Sequence, residues 1–461
     1  MGPWPAHDRA MIPLSLDQIA AVTGGIVCGD PTLVVTGPAY LDSRSPHSGG
    51  LFVAIVGERV DGHSFAAHAH AVLGSRPTCR PTVVVPDPVV ALGRLARHVV
   101  AAVAPTVLAV TGSHGKTTTK DYLAALLPGA VSTQGNRNNE LGVPLTVLRL
   151  EADNDFLVLE MGARGVGHLS YLCDIAPPHV GTVLGVGSAH VGAFGSLELT
   201  AAAKGELPAA LPGDGVAVLN ADDPRVAAMQ TPARVLTFGL RGDVTWRDVS
   251  LDRLARPSFS LGYAGTRQPV RLRQSGVHQV VNACAAAATA LAVGEPLPAI
   301  AQRLSATENT SPMRMAVSQR DDGLIVIDDT YNANPESMRA ALKALVSIGS
   351  RRGGRTIAVL GPMRELGTVS TSAHAEVGAF ARAHGVDIVL SVGPAAHPAG
   401  GIALSDIQSA LTWLEDHLGP DDTVLVKASR AAELDIIAHT ITRGPVQNPH
   451  DQATAVEPQP R

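Results

Sequence analysis

Aromatic residues are scarce in this chain, at 3% of 461 residues, so its core must be built mainly from Ala, Val and Leu. Charge of one sign is scarce too. The net charge is −5 and the pI about 6.4, which gives no electrostatic case for binding nucleic acid or a membrane surface. Only four cysteines occur, Cys28, Cys79, Cys173 and Cys284. Their wide separation excludes a recognisable metal spacing or disulfide framework and fits a reducing cytosol. Long apolar runs are lacking as well. The stretch "HVVAAVAPTVLAVTG" is interrupted by Pro105 and falls short of the ~20 residues of a membrane span. The opening "MGPWPAHDRA" lacks the apolar centre of a signal peptide. A cytoplasmic protein is expected. Lysine is scarce: Lys116, Lys120, Lys204, Lys343 and Lys427 are five among 36 basic residues. Where arginine has taken nearly every basic position, a remaining lysine hints at chemistry that guanidinium cannot do.

What is present is 45% hydrophobic, enough for a large core, and long enough for two to four domains. Apolar runs alternate with helical segments, the pattern of α/β units. A first unit, 11–104, has strands "LFVAIV" and "PTVVVPDP" and a helix expected at "SFAAHAHAVLG". A second, 105–308, has strands "TVLAVTG", "DFLVLEMG", "VGTVLGVG" and "GVAVLNADD" and a closing helix "VHQVVNACAAAATALAVG", as in a parallel sheet with crossovers. A third, 309–445, carries "GLIVIDD", "TIAVLG", "DIVLSVG" and "TVLVKAS". Residues 1–10 and 446–461 lack periodicity and read as disordered tails.

The most specific motif is "TGSHGKTTT", between a strand and a helix. It is shorter than the usual phosphate-binding loop, but the physics survives. Gly112 and Gly115 let backbone N–H groups of the segment Gly112, Ser113, His114, Gly115 turn inward around a phosphate. The helix N-terminus adds partial positive charge. Lys116 can reach terminal phosphates, Thr117 can hold Mg²⁺ through its hydroxyl, and Thr118 extends the helix start. Lys120 reads as a solvated helix residue. Glu160 ends a strand at the carboxyl edge of the expected sheet, where ligands gather in open α/β folds. His190 follows another strand, and Lys204 lies on the next helix, in "ELTAAAKGEL". Each alone has a bland structural reading.

Together these runs resemble the Mur ligases, ATP-dependent amide-forming enzymes of peptidoglycan synthesis. The resemblance rests on "LDSR", "GLFVAIVGERVDGHSF", "TGSHGKTTTK", "GNRNNELGVPLT", "LEMGARGVGHLSYL", "SAHVGAFGSLELTAAAKGEL", "LNADDPRV", "DDTYNANPESM" and "KASRAAEL", in that order, over most of 11–440. It is nearest the members that add D-alanyl-D-alanine to a UDP-N-acetylmuramoyl tripeptide. The resemblance implies a three-domain α/β architecture with a central P-loop parallel-sheet ATPase domain and a Rossmann-like C-terminal domain. It implies ATP, two Mg²⁺ ions and a CO₂-derived carbamate on Lys204 that holds metal with Thr117, Glu160 and His190. Arginine, always protonated, cannot supply the free amine. The donor carboxylate takes the γ-phosphate, and the amine displaces phosphate from the acyl phosphate.

By the same resemblance, Ser43 and Arg44 meet the UDP-sugar, with Asp42 bracing their turn. Asn138 and Asn139 lie near the reacting carboxylate, and His278 and Asn282 near adenine. Arg314 serves phosphate and Asp329 ribose, while Tyr331, Asn332 and Asn334 face the interdomain cleft. Asn332, Asn334 and Pro335 also suit a helix N-terminal turn. A monomer is expected on family grounds. Four positions depart from the family pattern: Gly185 in "LGVG", Asp328 in "DDTYNANP", Pro362 in "LGPMRELG" and Gln279 in "HQVVN". They leave open a ligase of the same chemistry acting on another acid and amine in a secondary-metabolite pathway. A nucleotide-binding protein without ligase activity is the third reading.

Overall fold

The computed structural model describes residues 11–187, 196–308 and 311–443. Two compact units divide the chain. The first contains the described residues up to Val249, with Ser258–Leu272 and Gln279–Thr307. The second contains Ser250–Pro257, Arg273–His278 and the chain from Glu308 onward.

The first unit holds two main sheets. Near the N-terminus, strands Ile26–Cys28, Thr82–Val84, Ala71–Gly74, Leu51–Val53 and Ala39–Tyr40 lie side by side in that order, parallel except for the first pair. The segment "SFAAHAHAVLG", expected as a helix, is instead a short 3₁₀ turn, Gly62–His68, followed by the strand Ala71–Gly74. Its apolar residues were too few to separate the two periods. Tertiary pairing on both sides makes Ala71–Gly74 an inner, fully buried strand. The helix Pro88–Val103 starts cleanly because Asp87 accepts the N–H groups of Val89 and Val90 and Pro88 occupies the first turn. One continuous apolar core joins its Leu92, Leu95 and Val99 to Leu169, Leu172 and Ile175 of the helix His168–Ile175.

The second sheet of this unit is wholly parallel. Its order is Arg234–Phe238, Val216–Asn220, Val180–Val183, Thr106–Thr111, Phe156–Glu160 and Val131–Ser132. Thr106–Thr111 lies at its centre and is almost entirely buried, as a strand covered on both faces must be. The order reverses around it, since successive crossovers go first to one side and then to the other. Thr111 and Glu160 therefore end at the same carboxyl edge, beside this switch point. The helix His278–Ala292, rich in alanine, packs its buried face into the core of this sheet.

The second unit is another α/β sheet. Ala316–Gln319 pairs antiparallel with Ile325–Asp329, and Thr423–Lys427, Thr356–Leu360, Ile388–Val392 and Ile402–Leu404 continue it in parallel. Helices Pro335–Gly349 and Ser370–Ala383 cover one face, and Ile407–His417 and Asp435–Arg443 the other. No helix among the described residues is long and apolar enough to cross a membrane.

Candidate functional site

The loop Gly112–Gly115 connects the central strand to the helix Lys116–Leu126. Two glycines are required here. Gly115 has φ +79°, and a Cβ on it would stand 2.4 Å from Oδ1 of Asn282. A Cβ on Gly112 would stand 2.8 Å from Leu184. The loop is thus drawn against the helix His278–Ala292 and against the segment after Val180–Val183. Gln279 fixes which way the Asn282 amide faces: its Oε1 accepts from Asn282 Nδ2 at 3.0 Å, which leaves Oδ1 toward Gly115. Ser113 donates its N–H to the Gly185 carbonyl at 3.0 Å, and its hydroxyl accepts from the Gly187 N–H at 2.8 Å. The Lys116 amine donates to the Gly112 carbonyl at 2.7 Å, folded over its own loop. His114 is exposed and Thr118 half-buried.

Three of the expected site residues form one hydrogen-bonded chain. Thr117 Oγ1 donates to Glu160 Oε2 at 2.6 Å, and Asn138 Nδ2 donates to Glu160 Oε1 at 2.6 Å. Glu160 is 1% exposed. Its position at the end of a neighbouring strand, in register with Val110, brings it to the loop although 43 residues separate it from Thr117. Asn139 serves the backbone: its Oδ1 accepts from the N–H of Gly142 at 2.9 Å and starts the helix Gly142–Val147.

Lys204 is buried on the helix Leu197–Ala209, and no hydrogen bond or ion pair reaches its amine among the described residues. Burial first, and the nearby charge of Lys116 second, lower its pKa to about 7. Lys204 therefore lies within electrostatic reach of Lys116. His190 lies outside the described residues. Among those described, no three of His, Cys, Asp and Glu converge as a ready metal cluster. Lys120, expected in water, is buried beside Asp121 and ion-paired to it. Its helix is covered on more sides than its sequence suggested.

The remaining expected residues lie apart from this cluster. Arg44 is exposed, and its described side-chain bonds go to Asp42, which also accepts the Arg44 N–H at 3.0 Å. Asp42 thus braces the turn that carries Ser43. The second unit has its own constellation. The Arg314 guanidinium lies 4.0 Å from the centroid of the Tyr331 ring, between Met313 and Met315, both with positive φ. Asp329 accepts from the Met315 N–H at 3.1 Å and from the Lys427 amine at 2.6 Å, and the same amine donates to the Asn332 carbonyl at 2.8 Å. Asn334 caps the helix Pro335–Gly349 in a reciprocal box with Ser337, so its side chain serves the helix start. His278 begins the helix His278–Ala292, and Gly276, at φ +105°, leaves room for its ring.

Sequence reasoning missed Lys427, although it is one of only five lysines and ends a strand. It also missed Glu206, two residues after Lys204. Glu206 accepts from the N–H groups of Gly167 at 2.5 Å and Ser170 at 3.0 Å, capping the helix His168–Ile175. The departures from the family pattern sit quietly. Gly185 has no forbidding neighbour, the nearest to an added Cβ being Asp223 Oδ2 at 3.5 Å. The Pro362 carbonyl accepts from the Ser429 N–H. Asp328 accepts from the Thr330 hydroxyl at 2.6 Å, and burial raises its carboxyl above the usual range.

Residues 110–290 match the Mur ligase middle domain, and residues 313–430 match the family described as Mur ligase, glutamate ligase domain. The chain is 42% identical to the UDP-N-acetylmuramoyl-tripeptide–D-alanyl-D-alanine ligase of Mycobacterium tuberculosis, covering 94% of this chain and 98% of that one. It is similar to the crystal structure of MurF from Acinetobacter baumannii, with a TM-score of 0.85, 31% identity, and coverage of 94% and 99%. A MurF ligase from Thermotoga maritima in complex with ADP matches with a TM-score of 0.78 and 32% identity, over 88% and 97% of the two chains.

Proposed function

The chain belongs to the Mur ligase family, and from that membership we propose that it joins D-alanyl-D-alanine to a UDP-N-acetylmuramoyl tripeptide at the expense of ATP. The observation that carries the chemistry is the cluster of Lys116, Thr117, Asn138 and Glu160 at the carboxyl edge of the parallel sheet, with Lys204 buried within electrostatic reach of Lys116. We assign the segment 11–104 to the UDP-sugar, 105–308 to ATP and 309–445 to the acceptor. We expect a cytoplasmic monomer.

The roles follow from the chemistry of each group. Loop N–H groups and the helix start bind the phosphates of ATP, and Lys116 exchanges its carbonyl partner for a phosphate oxygen. Asn282 and His278 serve the adenine end, Arg314 the phosphates and Asp329 the ribose, with Lys427 holding Asp329 in place. Ser43 and Arg44 meet the uridine diphosphate sugar. Asn138 stands by the reacting carboxylate, and Asn139 shapes its loop. Tyr331, Asn332 and Asn334 shape the acceptor side, Asn334 through the helix it caps.

The residues fit Mg²⁺. Thr117 and Glu160 offer hard oxygens already 2.6 Å apart, in a cluster without thiolates. Bound there, the ions would neutralise charge on the phosphates. His190 would complete the donor set. Lys204 has the property that a carbamate requires, an amine that gives up its proton near neutral pH. Its lone pair would form the N–C bond to CO₂, the amine proton would pass to solvent, and the product would be a second oxygen anion. A transferred phosphoryl group leaves the donor as an acyl phosphate, whose carbonyl the amine of D-alanyl-D-alanine attacks.

The test is phosphate release with ATP, UDP-N-acetylmuramoyl tripeptide and D-alanyl-D-alanine, with the product identified by mass. Formation of the pentapeptide supports the reading. Turnover restricted to another acid and amine overturns the substrate, and ATP binding without any turnover overturns the ligase.

A further inference from the structure

The loop leaving Glu160 carries a cation that no role above uses. Residues 161–167 connect the strand Phe156–Glu160 to the helix His168–Ile175, and the loop is pinned along its length. The Gly162 N–H donates to the Asn138 carbonyl at 2.8 Å. The Arg164 N–H donates to His168 Nδ1 at 3.2 Å. The Gly167 N–H donates to Glu206 at 2.5 Å. Gly162 also allows close approach, since a Cβ there would meet Asn138 Oδ1 at 2.8 Å.

From this pinned loop the Arg164 side chain projects outward, 71% exposed. Its described partner is one oxygen of Glu140, at a long 3.4 Å. An exposed ion contact of that length contributes little and is readily exchanged. The other Glu140 oxygen lies 3.2 Å from His168 Nε2. Because Nδ1 of His168 accepts the Arg164 N–H, the neutral ring carries its proton on Nε2, close to that carboxylate but outside hydrogen-bond geometry. His168 therefore holds the base of Arg164, and the long Glu140 contact to one guanidinium nitrogen leaves the rest of the fork exposed.

We propose that Arg164 recognises a carboxylate of the donor peptide other than the one that reacts, with Glu140 and His168 as positioning residues. This rests on the reading above that the donor is an acidic muramoyl peptide. The placement argues for it. Asn138 touches Glu160 with its side chain and Gly162 with its carbonyl, so the loop of Arg164 borders the point where the donor carboxylate must arrive. That point is lined by the buried carboxylate of Glu160, and an incoming polyanion needs a fixed cation beside it. A guanidinium fork suits a carboxylate better than an ammonium does.

The experiment is steady-state kinetics of the full chain with Arg164→Met and Arg164→Lys, varying each substrate in turn. Arg164→Met should raise KM for the muramoyl tripeptide by roughly tenfold or more, with kcat and the KM values for ATP and D-alanyl-D-alanine nearly unchanged. Arg164→Lys should recover part of the loss. A donor whose non-reacting carboxylates are amidated should cost wild type as much as Arg164→Met costs with the natural donor. It should cost the Met variant little more. An unchanged donor KM in Arg164→Met, or equal losses for all three substrates, would overturn the proposal. Failure of wild type to use the muramoyl tripeptide would instead sink the underlying substrate assignment.

Discussion

Replacing Lys204 by methionine should stabilise the folded chain while abolishing turnover. The structure buries the amine without a described partner and lowers its pKa from 10.5 to about 7, chiefly by desolvation. At ~1.36 kcal/mol per unit, that shift corresponds to about 5 kcal/mol against folding. The sign follows from proton counts. Between pH 7 and 10.5 the unfolded chain holds a proton that the folded chain has lost, so wild-type stability rises with pH across this window. Below pH 7 the cost is fully present, and above 10.5 it is gone. Methionine fills much the same space and carries no such cost. The variant should therefore exceed wild type by about 4 kcal/mol at pH 7 and by about 2 kcal/mol at pH 9. Urea unfolding in CO₂-depleted buffer, without nucleotide or divalent cation, measures both gaps. A gap that does not change with pH would mean that the amine is solvated or paired in the folded chain, and the reasoning would fail. Lys204→Arg should be as inactive as Lys204→Met, since guanidinium cannot lose its proton at these pH values.

Gly115→Ala should weaken ATP binding severely, measured by calorimetry, because φ +79° and the 2.4 Å approach of Asn282 both oppose a Cβ. Adding Asn282→Ala should relieve only the second of these. Thr117→Ala leaves Glu160 Oε2 without its 2.6 Å donor; a loss of about 1–3 kcal/mol in chemical denaturation is expected, with phosphate release falling below detection. Lys427→Met leaves the half-buried carboxylate of Asp329 without its cation. A cost of about 3–5 kcal/mol should appear in unfolding of the second unit, followed by its intrinsic fluorescence, and Asp329→Asn in the same background should recover part of it.

How much of this was legible beforehand depended on whether a signal was local. The phosphate loop declared itself because strand, glycines, lysine and helix are contiguous. The inner strands of both large sheets were readable as short apolar runs between turn residues, whereas the edge strands Val131–Ser132, Arg234–Phe238, Ala316–Gln319 and Ile402–Leu404 were not. The link from Thr117 to Glu160 was not, because the sheet order creates it and no spacing encodes it. Lys120 was misjudged for a related reason: helical periodicity gives one buried face, whereas this helix is covered more widely. Asn334 carried two meanings in sequence, a substrate contact or a helix cap, and the side chain makes the cap. The short run after Phe65 looked helical because so few apolar residues cannot distinguish a period of 3.6 from a period of 2. Lys427 was the avoidable omission, since the scarcity argument that drew attention to Lys204 applied to it equally.

Glu206 stands at a crossing of two responsibilities. It rides on the helix of Lys204 and grips the far end of the loop that presents Arg164. Remodelling that loop to accept a different donor would therefore tug on the lysine as well. Changes of substrate preference in this fold should come more cheaply at Arg164 itself than at the residues that fasten its loop.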